Sequence, residues 1–167
     1  ARRTQSLHRD ILKTAPFHWD GELADLPSFT AEIFSKRMGG IMLDQKQIDA
    51  LGAWLDRQPR FPRAAPADPA AVERGRVLFS DSTIGCASCH SGPLYTNNQT
   101  VDVGTGKAFQ VPSLIDVVGR APYMHDGCAK TLEDRFSPAC GGGDRHGKTS
   151  QLSASQLGDL AAYLRTL

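Results

Sequence analysis

The stretch Cys86-Ala87-Ser88-Cys89-His90 decides how this chain is interpreted. Two cysteines separated by two residues and followed directly by a histidine are the attachment signature of a c-type haem. On one turn of helix, the two thiols can form thioethers with the haem vinyl groups, and the histidine can bind the iron as proximal ligand. The motif therefore predicts one covalently attached haem c held by Cys86, Cys89 and His90.

A bare C-x-x-C pair also occurs in thioredoxin-like redox sites and in one half of many zinc sites. A redox pair is typical of a pattern in which strands and helices alternate, and this sequence does not show such a pattern. A zinc site needs a second short pair of ligands, whereas Cys128 and Cys140 are twelve residues apart. Haem attachment is the better interpretation of the motif.

Composition excludes two classes of partner and indicates a compartment. The chain has 167 residues and a formal net charge of +1, so no strong field favours nucleic acid, and no apolar run is long enough to span a membrane. Thioether attachment of haem takes place outside the cytoplasm, which predicts a bacterial periplasmic or otherwise exported protein. In such a compartment Cys128 and Cys140 are expected to form a disulfide, with two free thiols as the alternative.

Helix signals predict an all-α protein in three segments. We expect a helix from Ser28 to Met38 closed by Gly39-Gly40, and further helices at three cap signals. These are a capping box at Asp44 and Gln47, Asp68 followed by Pro69, and a capping box at Ser153 and Gln156. The first predicted segment is a partial cytochrome-like helical unit without a haem motif (1–57). A Pro-rich linker (58–68) and a cytochrome c domain (69–167) follow. Within that domain, residues 91–119 are expected to form a loop around the cofactor.

The chain also contains an internal repeat. Ala15-Pro16-Phe17-His18-Trp19-Asp20-Gly21 aligns with Ala121-Pro122-Tyr123-Met124-His125-Asp126-Gly127. The flanking matches are residues 5–7 with 112–114 and residues 47–55 with 156–164. Three blocks in one order indicate duplication. The offset of 106 residues between Ala15 and Ala121 would place a first haem motif about twenty residues before Ala1, so we expect an upstream segment that carries a first haem.

In combination these motifs resemble the bacterial di-haem cytochrome c peroxidase family, including the methylamine-utilisation di-haem enzyme. The resemblance covers most of the chain and is carried by residues 86–90, 102–106, 111–114, 121–127 and 131–133. It implies a class I cytochrome c-like helical domain around the haem. Two haem domains pack together in the family, one relaying electrons and the other meeting peroxide, whereas this sequence holds a single C-x-x-C-H.

The sixth ligand of the iron is open among several residues. Met124 is our first expectation, because it follows Pro122 on a rigid turn and a thioether is a known axial ligand. His125 and His146 are the alternatives, with His125 expected to bond a haem propionate and His146 expected to be exposed in a Gly-rich loop. His18 aligns with Met124 in the repeat, so it is a possible ligand to an absent first haem.

We therefore predict a c-type haem protein that transfers electrons through a haem ligated by His90 and Met124. One alternative is a peroxidase-like haem enzyme acting on hydrogen peroxide, and another is a haem-bearing subunit or fragment of a larger redox assembly. The expected partner is a redox protein or an upstream haem-bearing segment.

Overall fold

The computed structural model describes residues 2–7, 9–63 and 65–167, and the chain divides into two compact units. Residues 5–60 form the first, here called the N-terminal unit. Residues 61–167 form the second together with the chain start up to Thr4, and this is called the motif unit because it contains residues 86–90. Phe61 and Arg63, from the predicted linker 58–68, thus belong to the motif unit. In the described part of the chain, no helix is both long and apolar enough to cross a membrane.

The N-terminal unit contains a 3₁₀ turn and two helices. The turn is Ile11–Thr14; helix α1 is Leu26–Phe29 and continues with wider π-helical turns over Thr30–Arg37; helix α2 is Gln45–Asp56. Helix α1 begins earlier than the predicted Ser28 because the Asp25 carboxylate caps it, accepting from the Ser28 amide at 2.8 Å. It ends before Gly39, whose φ of +72° favours glycine. The small core of this unit contains Phe17, Leu23, Leu26 and Ile48.

The motif unit is built mainly from helices. Its helices are α3 (Pro69–Ser80), α4 (Cys86–Cys89), α5 (Pro138–Gly141) and α6 (Ala154–Leu164), with 3₁₀ turns at Val117–Arg120, Asp134–Phe136 and Gly143–His146. Helices α3 and α6 pack closely at Gly75, where a Cβ atom would clash with the carbonyl oxygen of Asp159. Phe79 and Leu160 are buried at this helix pair and form the centre of the core.

The helix starts predicted from the three cap signals are confirmed. Asp44 and Gln47 make a reciprocal capping box at α2, and Ser153 and Gln156 make one at α6. Asp68 accepts from the first amides of α3, with Pro69 in the first turn. These contacts involve residues two or three apart in the sequence, which is why local patterns predict them.

The expectation of an all-α chain with an irregular segment 91–119 needs a correction. Strands β1 (Thr100–Asp102) and β2 (Ala108–Gln110) form an antiparallel hairpin in which Val101 pairs with Phe109. Two glycines with positive φ, Gly104 at +80° and Gly106 at +103°, allow the chain to reverse between them. Each strand has three residues, too few for a clear alternating pattern, so the sequence did not reveal the hairpin.

The repeat in the sequence is matched by a repeat in backbone conformation. In each unit a 3₁₀ turn is followed by a short antiparallel bridge, Phe17 with Leu23 in one and Tyr123 with Ala129 in the other. Positive φ angles recur at the same offset, at Asp10 and Asp116, at His18 and Met124, and at Gly21 and Gly127. The two segments therefore share a local fold.

A buried ion pair fixes the start of the motif unit to its end. The Asp116 side chain is 1% exposed and accepts from the Arg63 guanidinium at 2.9 Å. The same guanidinium donates to the carbonyl oxygen of Thr166 at 2.6 Å and to that of Leu167, while the Asp116 amide donates to Leu167 at 3.0 Å. Arg63 thus connects the segment before α3, the Asp116 turn and residues 166–167.

We expect Arg63→Met to lower the free energy of unfolding by about 3 kcal/mol, because it removes the cation that is hydrogen-bonded to the buried Asp116 carboxylate. Urea titration of the haem-loaded protein measures the change. The matched control is Arg76→Met, which removes an exposed pair with Glu73 and should leave the urea midpoint unchanged. Equal midpoints for the two variants would contradict this role of Arg63.

Candidate functional site

Helix α4 presents the two cysteines of the motif on a single turn. It begins at Gly85, whose φ of +86° permits the sharp entry, and the His90 amide closes it by donating to the Cys86 carbonyl at 3.0 Å. Both cysteines are free thiols and are half-buried. Burial raises the pKa of the Cys86 thiol. The two sulfur atoms are thus available for covalent attachment of a cofactor.

The His90 ring is oriented by a backbone carbonyl. Its Nδ1 atom lies 3.1 Å from the carbonyl oxygen of Tyr95, and this contact requires the tautomer that carries hydrogen on Nδ1. The lone pair of Nε2 is then available to a metal, as in most metal-binding histidines. Burial lowers the pKa of His90 to about 4, which keeps the imidazole neutral and able to ligate.

A second imidazole faces His90. The ring centres of His90 and His146 are 6.4 Å apart, and the ring planes are inclined by 33°. His146 ends the turn Gly143–His146, and its Nδ1 atom is buried with no hydrogen bond among the described residues. Burial, reinforced by the charge of Arg135, lowers the pKa of His146 to about 3. This histidine was expected to be exposed, but it is half-buried beside His90.

The separation of the two rings suits a shared metal ion. A metal–imidazole bond is about 2 Å long and the ring centre lies about 1 Å behind the nitrogen, so two imidazoles on opposite sides of one metal have centres about 6 Å apart. The described residues hold no cluster of three or more His, Cys, Asp or Glu side chains that could bind a bare ion. Two neutral imidazoles and a pair of thiols therefore fit a haem, whose porphyrin supplies the other four iron ligands.

The loop that carries His146 (residues 142–148, here called the His146 loop) is held in place by contacts between residues that are distant in the sequence. A Cβ atom at Gly142 would clash with the Val103 carbonyl oxygen, so the loop packs directly against the β1–β2 hairpin. Arg145 pairs with Asp102 at 2.7 Å on the same side. After His146, the Lys148 amide donates to the Ile84 carbonyl at 2.9 Å, which returns the loop to the entrance of α4.

The predicted disulfide between Cys128 and Cys140 is confirmed. It encloses the Asp134–Phe136 turn and joins α5 to the residue that follows the 121–127 turn, so the segment that leads into the His146 loop is covalently closed. An oxidising compartment suits such a bond.

The other predicted site residues lie in the two repeated turns. Met124 occupies the turn of the Tyr123–Ala129 bridge with a φ of +66°. The His125 ring stacks on Phe109 with centres 4.2 Å apart. His18 lies in the N-terminal unit, where its Nδ1 atom contacts the Glu22 carboxylate.

Sequence reasoning missed two contributors to the site. The Tyr95 carbonyl that orients His90 is a backbone group, and no side-chain pattern identifies it. Arg135 donates to the carbonyl oxygen of His146 from a position that carries no motif. His146 itself was named, but its approach to His90 depends on packing between segments that are about forty or more residues apart.

The family comparison agrees with this geometry. The Cytochrome c family model matches residues 72–167, which include the whole of the 86–90 motif and His146. This match covers more than half of the chain.

Several curated proteins are similar to the chain. Hydrazine synthase subunit gamma of Kuenenia stuttgartiensis is 30% identical over 58% of this chain and 41% of its own length. Methylamine utilization protein MauG of Methylorubrum extorquens is 32% identical over 64% of this chain and 38% of its own length. Cytochrome-c peroxidase IdrP1 of Denitromonas iodatirespirans is 27% identical over 71% and 45%, respectively. The chain thus spans about two fifths of the length of these three relatives.

Solved structures show the same fold across almost all of the chain. A chain of Kuenenia stuttgartiensis hydrazine synthase superposes with a TM-score of 0.80 at 23% identity, covering 99% of this chain and 72% of that one. A MauG-like protein associated with microbial copper homeostasis gives a TM-score of 0.66 at 17% identity, covering 99% and 73%. Since the motif, the facing imidazoles and these matches agree, the chain belongs to the cytochrome c family, carries covalently attached haem c and is a relative of the di-haem peroxidases.

Proposed function

We propose that this chain transfers electrons through a haem c whose iron is ligated by His90 and His146. The observation that carries the proposal is the 6.4 Å separation of the two neutral imidazoles. A c-type haem supplies reversible one-electron chemistry, and two strong axial ligands close the iron to other molecules. The protein contributes the attachment, the ligands and the burial.

The protein groups around the pair favour electron transfer over peroxide chemistry. A peroxidase needs an acid or base within hydrogen-bond reach of its substrate on an open side of the iron. Between Ser91 and Gln110 the only carboxylate belongs to Asp102, and its exposed side chain pairs with Arg145. This ion pair engages the one carboxylate of that segment.

We expect His146→Ala to convert the ferric haem from low spin to high spin or water-bound, because it removes one of two axial imidazoles. Met124→Ala is the matched variant and should leave the absorbance spectrum unchanged, as should His125→Ala. The opposite pattern, with Met124→Ala opening the iron and His146→Ala silent, would replace His146 by Met124 as the sixth ligand.

Attachment through both motif cysteines is part of the proposal. Each sulfur provides one thioether, so Cys86→Ala or Cys89→Ala should leave a single covalent bond, and the double variant should leave none. Haem staining after denaturing electrophoresis and intact mass measure this. The control is Cys128→Ala/Cys140→Ala, which removes the other cysteine pair and should retain covalent haem. Covalent haem in the Cys86→Ala/Cys89→Ala variant would contradict the proposal.

Location follows from the same chemistry. The motif cysteines require an apparatus that works outside the cytoplasm, and the Cys128–Cys140 disulfide suits an oxidising compartment. These two features support an exported, periplasmic protein.

We also infer that a further haem-bearing segment covers the N-terminal unit in the whole protein. Helix α2 aligns with α6 in the repeat, and Tyr163 of α6 is 8% exposed because Phe79 of α3 packs on it at 5.3 Å. Trp54, the counterpart of Tyr163 on α2, is 60% exposed. A helix equivalent to α3, from an upstream segment, would cover this face, and His18 could then ligate its haem.

Intact mass and a pyridine haemochrome assay of the native protein test this inference. We expect a mass above that of the 167 residues with one haem, and two haems per polypeptide. A polypeptide that matches these residues with one haem would contradict it, and would leave the N-terminal unit as a cytochrome-like scaffold without a haem.

A further inference from the structure

We propose that Arg135 raises the reduction potential of the haem by placing a protein cation beside the two axial imidazoles. This inference rests on the proposed ligation by His90 and His146. Arg135 lies in the short turn Asp134–Phe136, inside the loop closed by the Cys128–Cys140 disulfide. It would act on the iron through its charge and through its contact with the His146 loop. Arg135 is therefore a residue that positions this loop and shifts the reduction potential, and it is not a ligand.

Hydrogen bonding places the guanidinium against the His146 loop. Arg135 Nη2 donates to the carbonyl oxygen of His146 itself. The Arg135 backbone also lies close to the residue just before the His146 loop. A Cβ atom added at Gly141 would clash with the Arg135 carbonyl oxygen. The guanidinium also lies over the Phe136 ring, 5.1 Å from the ring centre. These contacts fix the cation next to one proposed ligand.

Geometry places the charge of Arg135 close to the proposed ligands. Its guanidinium donates to the carbonyl oxygen of His146, and the ring of His146 is 6.4 Å from that of His90, measured between centres. A guanidinium stays protonated at neutral pH. A cation this close to one proposed ligand acts on the iron through a medium of lower dielectric than water.

No acidic side chain neutralises this cation within the part of the chain that the structure describes. The two nearest candidates in the sequence are already engaged. Glu133 pairs with Arg165, and Asp134 accepts from the backbone amides of Lys130 and Thr131. Most other arginines of the motif unit have a carboxylate partner, as Arg63, Arg74, Arg76 and Arg145 show. The positive field of Arg135 is therefore not cancelled by a protein carboxylate.

The sign of the effect follows from charge balance. Reduction adds one electron from a one-electron partner to the iron, and no proton is needed, so the site becomes more negative by one charge. A nearby cation stabilises the more negative state, and it does so more strongly in the partly dry protein interior than in water. Arg135 would therefore make the haem easier to reduce. Two imidazole ligands lack the potential-raising thioether of a His/Met haem, so this cation would partly offset that difference.

Potentiometric titration of the full haem-loaded protein tests the proposal with three variants. Arg135→Gln removes the charge and keeps a donor, so we expect a lower midpoint potential with an unchanged low-spin spectrum. Arg135→Lys keeps the charge and should stay close to the wild-type potential. The control Arg145→Gln removes an exposed, paired arginine next to His146 and should shift the potential less than Arg135→Gln does.

Each outcome decides the question. A potential for Arg135→Gln that equals or exceeds the wild-type value, or a shift no larger than that of Arg145→Gln, would overturn the proposal. If Arg135→Gln does not retain haem, the Arg135→Lys variant decides. An Arg135→Lys protein that stays low-spin but has a midpoint potential clearly below the wild-type value would overturn the proposal. Failure of the proposed ligation by His90 and His146 would be seen separately. The spectrum of the wild-type protein would then not be that of a haem with two imidazole ligands, whatever the Arg135 variants show.

Discussion

The approach of two neutral, half-buried imidazoles to within 6.4 Å of each other, measured between ring centres, is the constraint on which the rest of the site depends. His90 is fixed locally, by the turn of α4 and by the Tyr95 carbonyl. His146 is fixed from a distance, because Gly142 packs on Val103 and the Lys148 amide binds Ile84. The His90 Nδ1 atom is held by the Tyr95 carbonyl, whereas the buried Nδ1 atom of His146 has no hydrogen bond among the described residues, and a buried polar atom without a partner is costly.

The scaffold around this pair has few parts. Helices α3 and α6 form a packed base at Gly75, and α4 follows α3 directly, so the motif sits at the edge of the best-packed region. The hairpin and the disulfide-closed loop then bring the second imidazole back to the first. Rigid support of this kind suits electron transfer, which is fastest when the ligands rearrange little between oxidation states.

The sequence predicted those features that depend on local chemistry. The haem motif, the capping boxes at Asp44 and Ser153, and the backbone repeat are encoded within a few residues each. The position of His146 was mispredicted, because loop composition indicates exposure and says nothing about a loop held between a hairpin and α4. The hairpin was missed because its strands are short, and Arg135 because its role depends on charge and on a backbone acceptor. Met124 as the sixth ligand stays a prediction.

Near-infrared magnetic circular dichroism of the ferric wild-type protein tests the central claim most directly, because the charge-transfer band reports which two atoms bind the iron. Ligation by two imidazoles, as proposed for His90 and His146, predicts a band typical of bis-histidine haems and no thioether-to-iron band. A spectrum typical of histidine with methionine, or of a high-spin iron with one histidine, would contradict the account.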